Sequence, residues 1–388
     1  MYKIKTMNKI SPLGLAKLDT KLFTCGEDAE NPDGILVRSA SLLEMELPAA
    51  LKAIARAGAG VNNVPVDRCS EAGIVVFNTP GANANAVKEL VITGLFLTSR
   101  KIVEGIEWAQ TLKGNGAEVA KMVEKGKGAY VGPEIEGKKL GVIGLGAIGV
   151  MVANAAYHLG MDVLGFDPYI SVDAAWGLSR FVKKAKTIDE IFAESDYITI
   201  HVPLNPETKG MINKASLAAM KKGVKILNFS RADLVNIADI KIALENGQAS
   251  CYVTDFPTDE ALGVKGIIPI PHLGASTPES EDNCAVMAVE EVQDYLLNGN
   301  IKNSVNLPDV DLPKGANVRI CIIHKNIPNM LGQISAVLGN ENVNIDNMLN
   351  KSKKDYAYTL LDITGEIPEG TVSKLTGIEG VIKVRVIY

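Results

Sequence analysis

One stretch of the chain, residues 144–149, constrains the fold more than any other because its glycines have the spacing G-x-G-x-x-G. An apolar run at residues 140–143 leads directly into it, and residues 147–159 suit a helix. A second apolar run then ends at Asp167. Strand, glycine turn, helix, strand and acid in this order are typical of a dinucleotide-binding βαβ unit.

Each part of this unit has a physical role in holding a dinucleotide. The glycines allow the tight turn, the approach of the pyrophosphate and the close packing of helix on strand, while the helix N-terminus attracts phosphate. Asp167 would accept hydrogen bonds from both ribose hydroxyls and repel a 2′-phosphate, which predicts NAD rather than NADP. The alternative is an ordinary glycine turn beside a surface aspartate. The predicted cofactor contacts in this unit are Gly144, Gly146, Ala147, Ile148, Gly149 and Asp167.

Composition excludes several classes of protein. The chain has 388 residues, of which 47% are hydrophobic and 22% charged, so it is long enough for two or three folded domains. The net charge of −5 gives no general attraction for nucleic acid or anionic lipid. No apolar run is long enough for a membrane span, and the N-terminus lacks the apolar core of a secretion signal. Five scattered cysteines without a C-x-x-C pair suit reduced thiols. We therefore expect a cytoplasmic small-molecule enzyme without a metal site.

The order of apolar runs predicts an α/β organisation. Residues 1–80 predict a first α/β unit, and residues 139–271 repeat the alternation with nearly continuous apolar runs, as in parallel strands covered on both faces. One long helix is predicted from about residue 86 to residue 112. Residues 302–315 contain prolines and little periodicity, which predicts a linker. Beyond it, the predicted order strand–helix–strand–strand–helix–strand resembles the split βαβ arrangement.

The four histidines narrow the search for an acid–base group. His272 follows the last strand predicted before the linker, at the sheet edge where open α/β proteins bind ligands, so it is the best candidate. His158 lies in the helix after the glycine loop and is predicted to be structural. His201 ends an apolar strand and is predicted to be a satisfied edge histidine, although its loop could line a cofactor. His324 is far from the glycine loop in sequence.

Charged residues that could assist His272 also follow predicted strands. Arg231 could hold a substrate carboxylate through two parallel hydrogen bonds, or could form an ordinary surface salt bridge. Three carboxylates, Asp255, Asp259 and Glu260, come shortly before His272. One of them could orient the imidazole for proton transfer, whereas loop acids are usually only solvated.

Together these residues resemble the D-2-hydroxyacid dehydrogenase family, and the resemblance covers nearly the whole chain. Its members that oxidise 3-phospho-D-glycerate to 3-phosphohydroxypyruvate with NAD, the first step of L-serine biosynthesis, are the most similar. The resemblance rests on the glycine loop and on these motifs in the family's order: Val37-Arg38-Ser39, RAGAGVNN at residues 56–63, NTPG at 78–81, HVPL at 201–204, NFSR at 228–231 and PHLGAST at 271–277.

The resemblance implies roles for the candidate residues. Arg231 would bind the substrate carboxylate and keto oxygen, His272 would move the hydroxyl proton, and an acid would hold the imidazole tautomer. Counting from Arg231 assigns that acid to Glu260 and places Asp255 on the nicotinamide amide, whereas matching the Phe-Pro-Thr string selects Asp259. The implied substrate contacts are Arg38, Ser39, Ala59 and Gly60, and the further cofactor contacts are Thr79, Val202, Pro203, Ser230, Asp255 and Gly274.

The resemblance also implies two Rossmann-like doubly wound domains and a regulatory domain. Residues 1–85 and the returning helix at 276–301 would form the substrate-binding domain, and residues 86–275 the dinucleotide-binding domain. After the linker at 302–315, residues 316–388 would form an ACT domain of βαββαβ order. Within it, His324, Asn326 and Asn344 match positions that hold L-serine between domains of different subunits, so we expect a homodimer or homotetramer. An ACT domain retained for assembly alone is the alternative.

Two departures from the family pattern and two rival functions stay open. Ala232 stands where a glycine is common, and Lys88 where a small residue is common. Lys88 could add positive charge near a phosphorylated substrate or be a helix-surface lysine. The chain could instead reduce glyoxylate, hydroxypyruvate or another 2-keto acid. It could also be a non-catalytic sensor of NAD and an amino acid.

Overall fold

The computed structural model describes residues 1–315 and 317–388, and the chain falls into two compact units. The first unit combines Met1–Asn83 with Pro278–Tyr388, and the second unit is Ala84–Thr277. The predicted start of the C-terminal domain, residue 316, lies outside the described residues.

A five-stranded parallel sheet forms the N-terminal part of the first unit. Its elements are β1 (Tyr2–Met7), α1 (Pro12–Leu15), β2 (Phe23–Gly26), β3 (Gly34–Val37), β4 (Ala53–Arg56), α2 (Val66–Glu71) and β5 (Val75–Asn78). The strand order is β2-β1-β3-β4-β5, one of the two common doubly wound orders. Ile35 and Ile54 are fully buried, because strands of a parallel sheet are covered on both faces.

The second unit contains a seven-stranded parallel sheet in the order β12-β11-β10-β9-β6-β7-β8. Because β7 and β9 lie on opposite sides of β6, the carboxyl end of β6 marks the switch point where such sheets bind ligands. The elements are α3 (Ala84–Ser99), α4 (Ile102–Thr111), α5 (Val119–Gly126), β6 (Lys139–Ile143), α6 (Ala147–His158), β7 (Asp162–Phe166), α7 (Val172–Gly177), β8 (Lys183–Lys184), α8 (Ile188–Glu194), β9 (Tyr197–Ile200), α9 (Lys214–Ala219), β10 (Val224–Asn228), α10 (Ile237–Glu245), β11 (Ala249–Thr254) and β12 (Ile267–Pro269).

The prediction of one long helix from residue 86 to residue 112 is wrong, because the helix is interrupted near its centre. The chain forms two helices, α3 and α4, and Lys101 between them has a non-helical backbone with φ −70° and ψ 56°. A β-carbon on Gly132 would come within 2.0 Å of the Ser99 carbonyl oxygen, so this distant segment packs directly onto the end of α3. The break thus coincides with a tertiary contact.

The C-terminal part of the first unit has the predicted strand–helix–strand–strand–helix–strand order. It follows the long helix α11 and forms an antiparallel sheet in the order β14-β15-β13-β16, with helices packed on one face. Helix α11 spans Pro278–Asn298, and the elements after it are β13 (Val318–Lys325), α12 (Met330–Asn340), β14 (Ile345–Lys353), β15 (Tyr356–Ile363), α13 (Thr371–Thr376) and β16 (Val381–Ile387).

The other face of this antiparallel sheet shares a hydrophobic core with the N-terminal part of the same unit. Cys321 and Tyr358 from the sheet lie in one buried cluster with Phe77 and Tyr295. The Tyr358 hydroxyl also donates a hydrogen bond of 2.7 Å to the Gly299 carbonyl. The C-terminal sheet is thus packed into the first unit as one of its layers.

Two arginines, the buried Arg319 and the half-buried Arg385, hold the carboxyl end of α11. Arg319 pairs with both oxygens of Asp362, at 2.6 and 2.9 Å, and donates to the Asn298 carbonyl at 2.8 Å. Arg385 donates to the carbonyls of Tyr295 and Leu296. The last carbonyls of a helix lack partners within the helix and carry partial negative charge, so cations stabilise them.

Residues 302–315, predicted as a linker, contain no helix or strand, but part of the segment is buried along β5. The side chain of Asn306 accepts a hydrogen bond of 2.9 Å from the Val76 N–H and donates one of 2.9 Å to the Ile74 carbonyl. Leu307 and Val310 are buried.

In the described part of the chain, no helix is long and apolar enough to cross a membrane.

Glu291 predicts how the stability of the protein changes with pH. Its side chain in α11 is buried, accepts a 2.7 Å hydrogen bond from Asn303 Nδ2, and has an Oε2 atom without a hydrogen-bond partner among the described residues. Burial raises the pKa of this carboxyl from 4.5 to about 8, against the opposing effects of Asn303 and Lys302. The folded state therefore retains a proton that the unfolded state loses, and stability falls as pH rises between these values.

Glu291→Gln mimics the protonated carboxyl, so its Tm should exceed that of the wild type by an amount that grows from pH 5 to pH 9. Thermal unfolding followed by circular dichroism across this range measures the difference. Parallel curves for the two proteins would contradict the assignment of this pH dependence to Glu291.

Candidate active site

The glycine loop forms where β6 and β9 diverge. Gly144 has φ +90°, and a β-carbon there would come within 2.6 Å of the His201 carbonyl oxygen. At Gly149 a β-carbon would come within 1.9 Å of the Gly144 carbonyl oxygen. Gly146 is the N-cap of α6, and a β-carbon there would meet nothing within 4 Å. Gly144 and Gly149 therefore permit the tight turn. Gly146 leaves open space in front of the first N–H groups of α6, at Ala147 and Ile148, where a ligand could approach.

Asp167 is fixed beside this loop at the end of β7. Its Oδ2 accepts a hydrogen bond of 2.8 Å from the Leu145 N–H, and its Oδ1 accepts one of 2.8 Å from the Tyr169 N–H. A carboxylate has about four acceptor sites, so each oxygen can still accept a bond from a ribose hydroxyl. The loop, the helix N-terminus and this carboxylate have the donors and acceptors that a dinucleotide requires.

The residues at the end of β9 lie at the same sheet edge, beside the glycine loop. His201 Nε2 lies 2.9 Å from Thr199 Oγ1, and burial lowers the pKa of the imidazole to about 3, so the ring is neutral. Its Nδ1 is buried without a hydrogen-bond partner among the described residues, so the predicted satisfied histidine is satisfied at one nitrogen only. Val202 is half-buried and Pro203 is exposed.

Asn228 shapes the turn that carries Arg231. This last residue of β10 is fully buried, donates a 2.8 Å hydrogen bond to the Arg231 carbonyl and accepts one of 3.1 Å from the Ser230 N–H. Ser230 in turn donates from its hydroxyl to the Ile200 carbonyl at 2.7 Å. The sequence alone indicates no role for Asn228. The available signal was a polar amide at the end of an apolar strand, since buried polar groups need partners.

Arg231 and His272 contact the same aromatic side chain. The Phe256 ring lies 4.5 Å from the His272 ring, centroid to centroid, with the planes inclined at 49°. The guanidinium carbon of Arg231 lies 5.9 Å from the Phe256 centroid, and Arg231 Nη1 donates to the Ser230 carbonyl at 2.6 Å. The structure therefore brings the predicted carboxylate-binding and proton-transferring groups together. Sequence reasoning gave Phe256 no role.

The three candidate carboxylates differ sharply in burial. Asp255 is 1% exposed, and burial raises the pKa of its carboxyl, while His272, the Gly274 N–H and Arg231 oppose that shift. Asp259 and Glu260 lie in a short 3-10 helix and are exposed. Within the described residues, neither forms a hydrogen bond or ion pair with His272. The choice of Glu260 or Asp259 as the orienting acid stays a prediction.

Predicted substrate residues lie at the carboxyl edge of the first unit's parallel sheet. Arg38, after β3, forms an ion pair of 2.7 Å with Glu281, and the Ala59 carbonyl, after β4, accepts a 2.5 Å hydrogen bond from Asn78. Ser39 is exposed and Gly60 half-buried. Thr79, which is predicted as a cofactor contact, follows β5 and is fully buried.

The predicted effector residues have different environments within the C-terminal sheet. His324 is buried, with Nδ1 at 2.7 Å from the Lys325 carbonyl and Nε2 at 2.9 Å from Thr359 Oγ1. Asn326 and Asn344 are exposed. Asn326 Nδ2 donates a hydrogen bond of 3.0 Å to the Lys354 carbonyl, and Asn344 Nδ2 donates one of 2.9 Å to Asp346 Oδ1. Both asparagines are thus accessible to a ligand, whereas His324 is enclosed in the sheet.

Comparison with known proteins gives this arrangement a family. Residues 93–279 match the family model described as D-isomer specific 2-hydroxyacid dehydrogenase, NAD binding domain. The chain is 30% identical over 341 residues to a D-3-phosphoglycerate dehydrogenase from Haemophilus influenzae, an alignment that covers 85% of this chain and 79% of that protein. The chain belongs to the D-isomer specific 2-hydroxyacid dehydrogenase family.

Two further relatives of this dehydrogenase show how much of each chain is similar. A D-3-phosphoglycerate dehydrogenase from Bacillus subtilis is 32% identical over 343 residues, covering 82% of this chain but only 62% of that protein. The crystal structure of a cofactor (NAD+)-bound 3-phosphoglycerate dehydrogenase from Entamoeba histolytica is similar with a TM-score of 0.59 and 26% identity, covering 79% of this chain and 98% of that one. The predictions of an NAD-binding domain and of parallel-sheet α/β units are confirmed.

Proposed function

We propose that this chain catalyses the NAD-dependent oxidation of 3-phospho-D-glycerate to 3-phosphohydroxypyruvate, the first step of L-serine biosynthesis. The observation that carries the proposal is the meeting of Arg231 and His272 at Phe256, on the carboxyl edge of the NAD-binding unit. A 2-hydroxy acid needs a cation for its carboxylate and a proton acceptor for the hydroxyl on the adjacent carbon, and these two side chains supply them.

Each residue has a defined task in this reaction. Arg231 would hold the carboxylate and the oxygen on C2 while His272 takes the hydroxyl proton. Bound NAD would accept the hydride from C2. Glu260, with Asp259 as the alternative, would hold the imidazole in its tautomer and stabilise the imidazolium. Buried Asp255, beside Gly274, would accept a hydrogen bond from the nicotinamide amide, as the family resemblance implies.

The preference for a phosphorylated acid would come from further cations. We expect Arg38 and Ser39, with the Ala59–Gly60 backbone, to contact the substrate, and the Arg38 guanidinium would favour a phosphate over an uncharged group. Lys88 has a side chain only 22% exposed and lies 3.6 Å from Glu89 Oε1. That ion pair is compatible with both of the roles considered for Lys88.

We further propose that the C-terminal sheet is an ACT domain that binds L-serine between two subunits of a homodimer or homotetramer. Its βαββαβ order and the exposed amides of Asn326 and Asn344 support this assignment. Because both nitrogens of His324 have partners, its contribution to an effector site would require those internal bonds to change.

NADH consumption followed at 340 nm tests the proposal. We expect turnover with 3-phosphohydroxypyruvate to be much faster than with hydroxypyruvate or glyoxylate, and to slow when L-serine is added. Preference for an unphosphorylated keto acid would keep the chemistry and overturn the substrate. No turnover with any 2-keto acid would instead favour a non-catalytic sensor. An unchanged rate in the presence of L-serine would leave the C-terminal sheet a role in assembly alone.

A further inference from the structure

The imidazole of His272 is held mainly by the ring of Phe256. His272 is exposed, and within the described part of the chain its ring nitrogens form no hydrogen bond or ion pair. The Asp255 carboxyl acts on the imidazole as a nearby charge without a hydrogen bond that would fix its rotamer, so the 4.5 Å ring contact is the feature that restricts it. The two ring planes are inclined at 49°, and because neither nitrogen is used in a hydrogen bond with the described residues, Nδ1 and Nε2 stay available to move a proton.

Phe256 is itself held in place by its neighbours in the sequence. Its N–H donates a hydrogen bond of 3.1 Å to the Oγ1 of Thr254, which is fully buried at the end of β11. Asp255 before it is also buried, and Pro257 after it restricts the backbone of Phe256 to extended conformations. The half-buried ring therefore projects from a fixed backbone.

We propose that Phe256 is a positioning residue that sets the orientation of His272 and its spacing from Arg231. The inference rests on the proposed function, because it assumes that these two groups act on adjacent carbons of one substrate. A phenyl ring with only two side-chain torsions is a rigid spacer, and its face attracts both a guanidinium and the imidazolium that forms when His272 accepts a proton. The imidazolium is formed during oxidation and consumed during reduction, so we expect the ring to act on kcat in both directions through the orientation that it gives the imidazole.

Substitution by leucine tests this role because it keeps apolar bulk while removing the ring. For Phe256→Leu we expect kcat with 3-phosphohydroxypyruvate to fall about 10-fold, KM to rise no more than about 3-fold and NADH affinity to stay unchanged. Phe256→Tyr retains the ring face and should stay within about 3-fold of the wild type in both constants.

Phe181 offers a matched control within the same unit. This partly exposed ring stacks on Tyr157 at 4.9 Å, and the guanidinium carbon of Arg180 lies 4.9 Å from its centroid. It has no assigned role in binding or catalysis. Phe181→Leu therefore removes a similar ring contact and should leave kcat and KM unchanged.

Nuclear magnetic resonance of histidine-labelled protein tests the geometry without any turnover. The His272 resonances, assigned by their loss in His272→Gln, should carry a ring-current shift in the wild type and in Phe256→Tyr, and lose it in Phe256→Leu. Identical His272 resonances in the wild type and Phe256→Leu would overturn the proposal. An altered resonance with unchanged kcat would overturn it too, because orientation would then not matter for catalysis.

These measurements distinguish a failure of the proposed function from a failure of the proposed role of Phe256. A wild type that turns over no keto acid would refute the proposed function, and the resonances would still decide whether Phe256 positions His272. If Phe256→Leu does not fold, as judged by circular dichroism, Phe256→Met takes its place, because methionine provides similar length without a ring face. The same losses of kcat and of ring-current shift are expected for Phe256→Met.

Discussion

His272→Ala is expected to lower kcat for 3-phosphohydroxypyruvate reduction by about 10²- to 10⁴-fold, the usual contribution of a general acid–base group. NADH affinity should hardly change, because the glycine loop and Asp167 that would hold the cofactor lie at other strand ends. Steady-state kinetics at 340 nm gives kcat, and quenching or enhancement of NADH fluorescence gives the dissociation constant.

His158→Ala is the matched control for this experiment. His158 is exposed at the end of α6 and has no predicted role in proton transfer, so its loss should leave both constants close to the wild type. Equal loss of kcat and NADH affinity in His272→Ala would identify His272 as a structural residue rather than an acid–base group.

The second large effect concerns stability and involves the fully buried Arg319. Arg319→Met should lower the free energy of unfolding by about 3–5 kcal/mol, because Asp362 would keep a buried charge without its partner. It would also leave the carbonyl of Asn298, at the end of α11, without its donor. Urea unfolding monitored by circular dichroism provides the measurement.

A paired variant distinguishes the loss of a partner from a general packing defect. Arg319→Met combined with Asp362→Leu should recover most of the loss, since two apolar side chains replace the ion pair. Lys127→Met removes the exposed ion pair with Glu124 and should leave the urea midpoint unchanged. An Arg319→Met midpoint equal to that of the wild type would refute the stabilising role of the buried pair.

The sequence predicts well those features whose causes are local. The turn at Gly144 and Gly149 follows from glycine spacing, and Asp167 follows from the strand before it, because each is determined by neighbours within one βαβ unit. Arg231 and His272 could be selected because residues that follow parallel strands gather at one sheet edge. Both side chains contact Phe256, while their catalytic roles stay predictions.

The features that the sequence could not predict depend on distant contacts. The break between α3 and α4 lies where Gly132 packs against Ser99, a contact that no local pattern predicts. Similarly, Phe256 resembles any other apolar loop residue until Arg231 and His272 are placed beside it. Burial likewise separates Asp255 from Asp259 and Glu260, although all three carboxylates lie within one short segment.

The shared core of the first unit has a consequence for biosynthesis. Its two parts, Met1–Asn83 and Pro278–Tyr388, come from opposite ends of the chain, and Phe77 is buried in a cluster with Tyr295 and Tyr358. A ribosome therefore releases the N-terminal sheet long before the residues that cover it. The second unit is continuous in sequence and can fold during this interval. We therefore expect the second unit to fold first on the nascent chain, while the N-terminal sheet stays open to chaperones until the residues from Pro278 onward have been made.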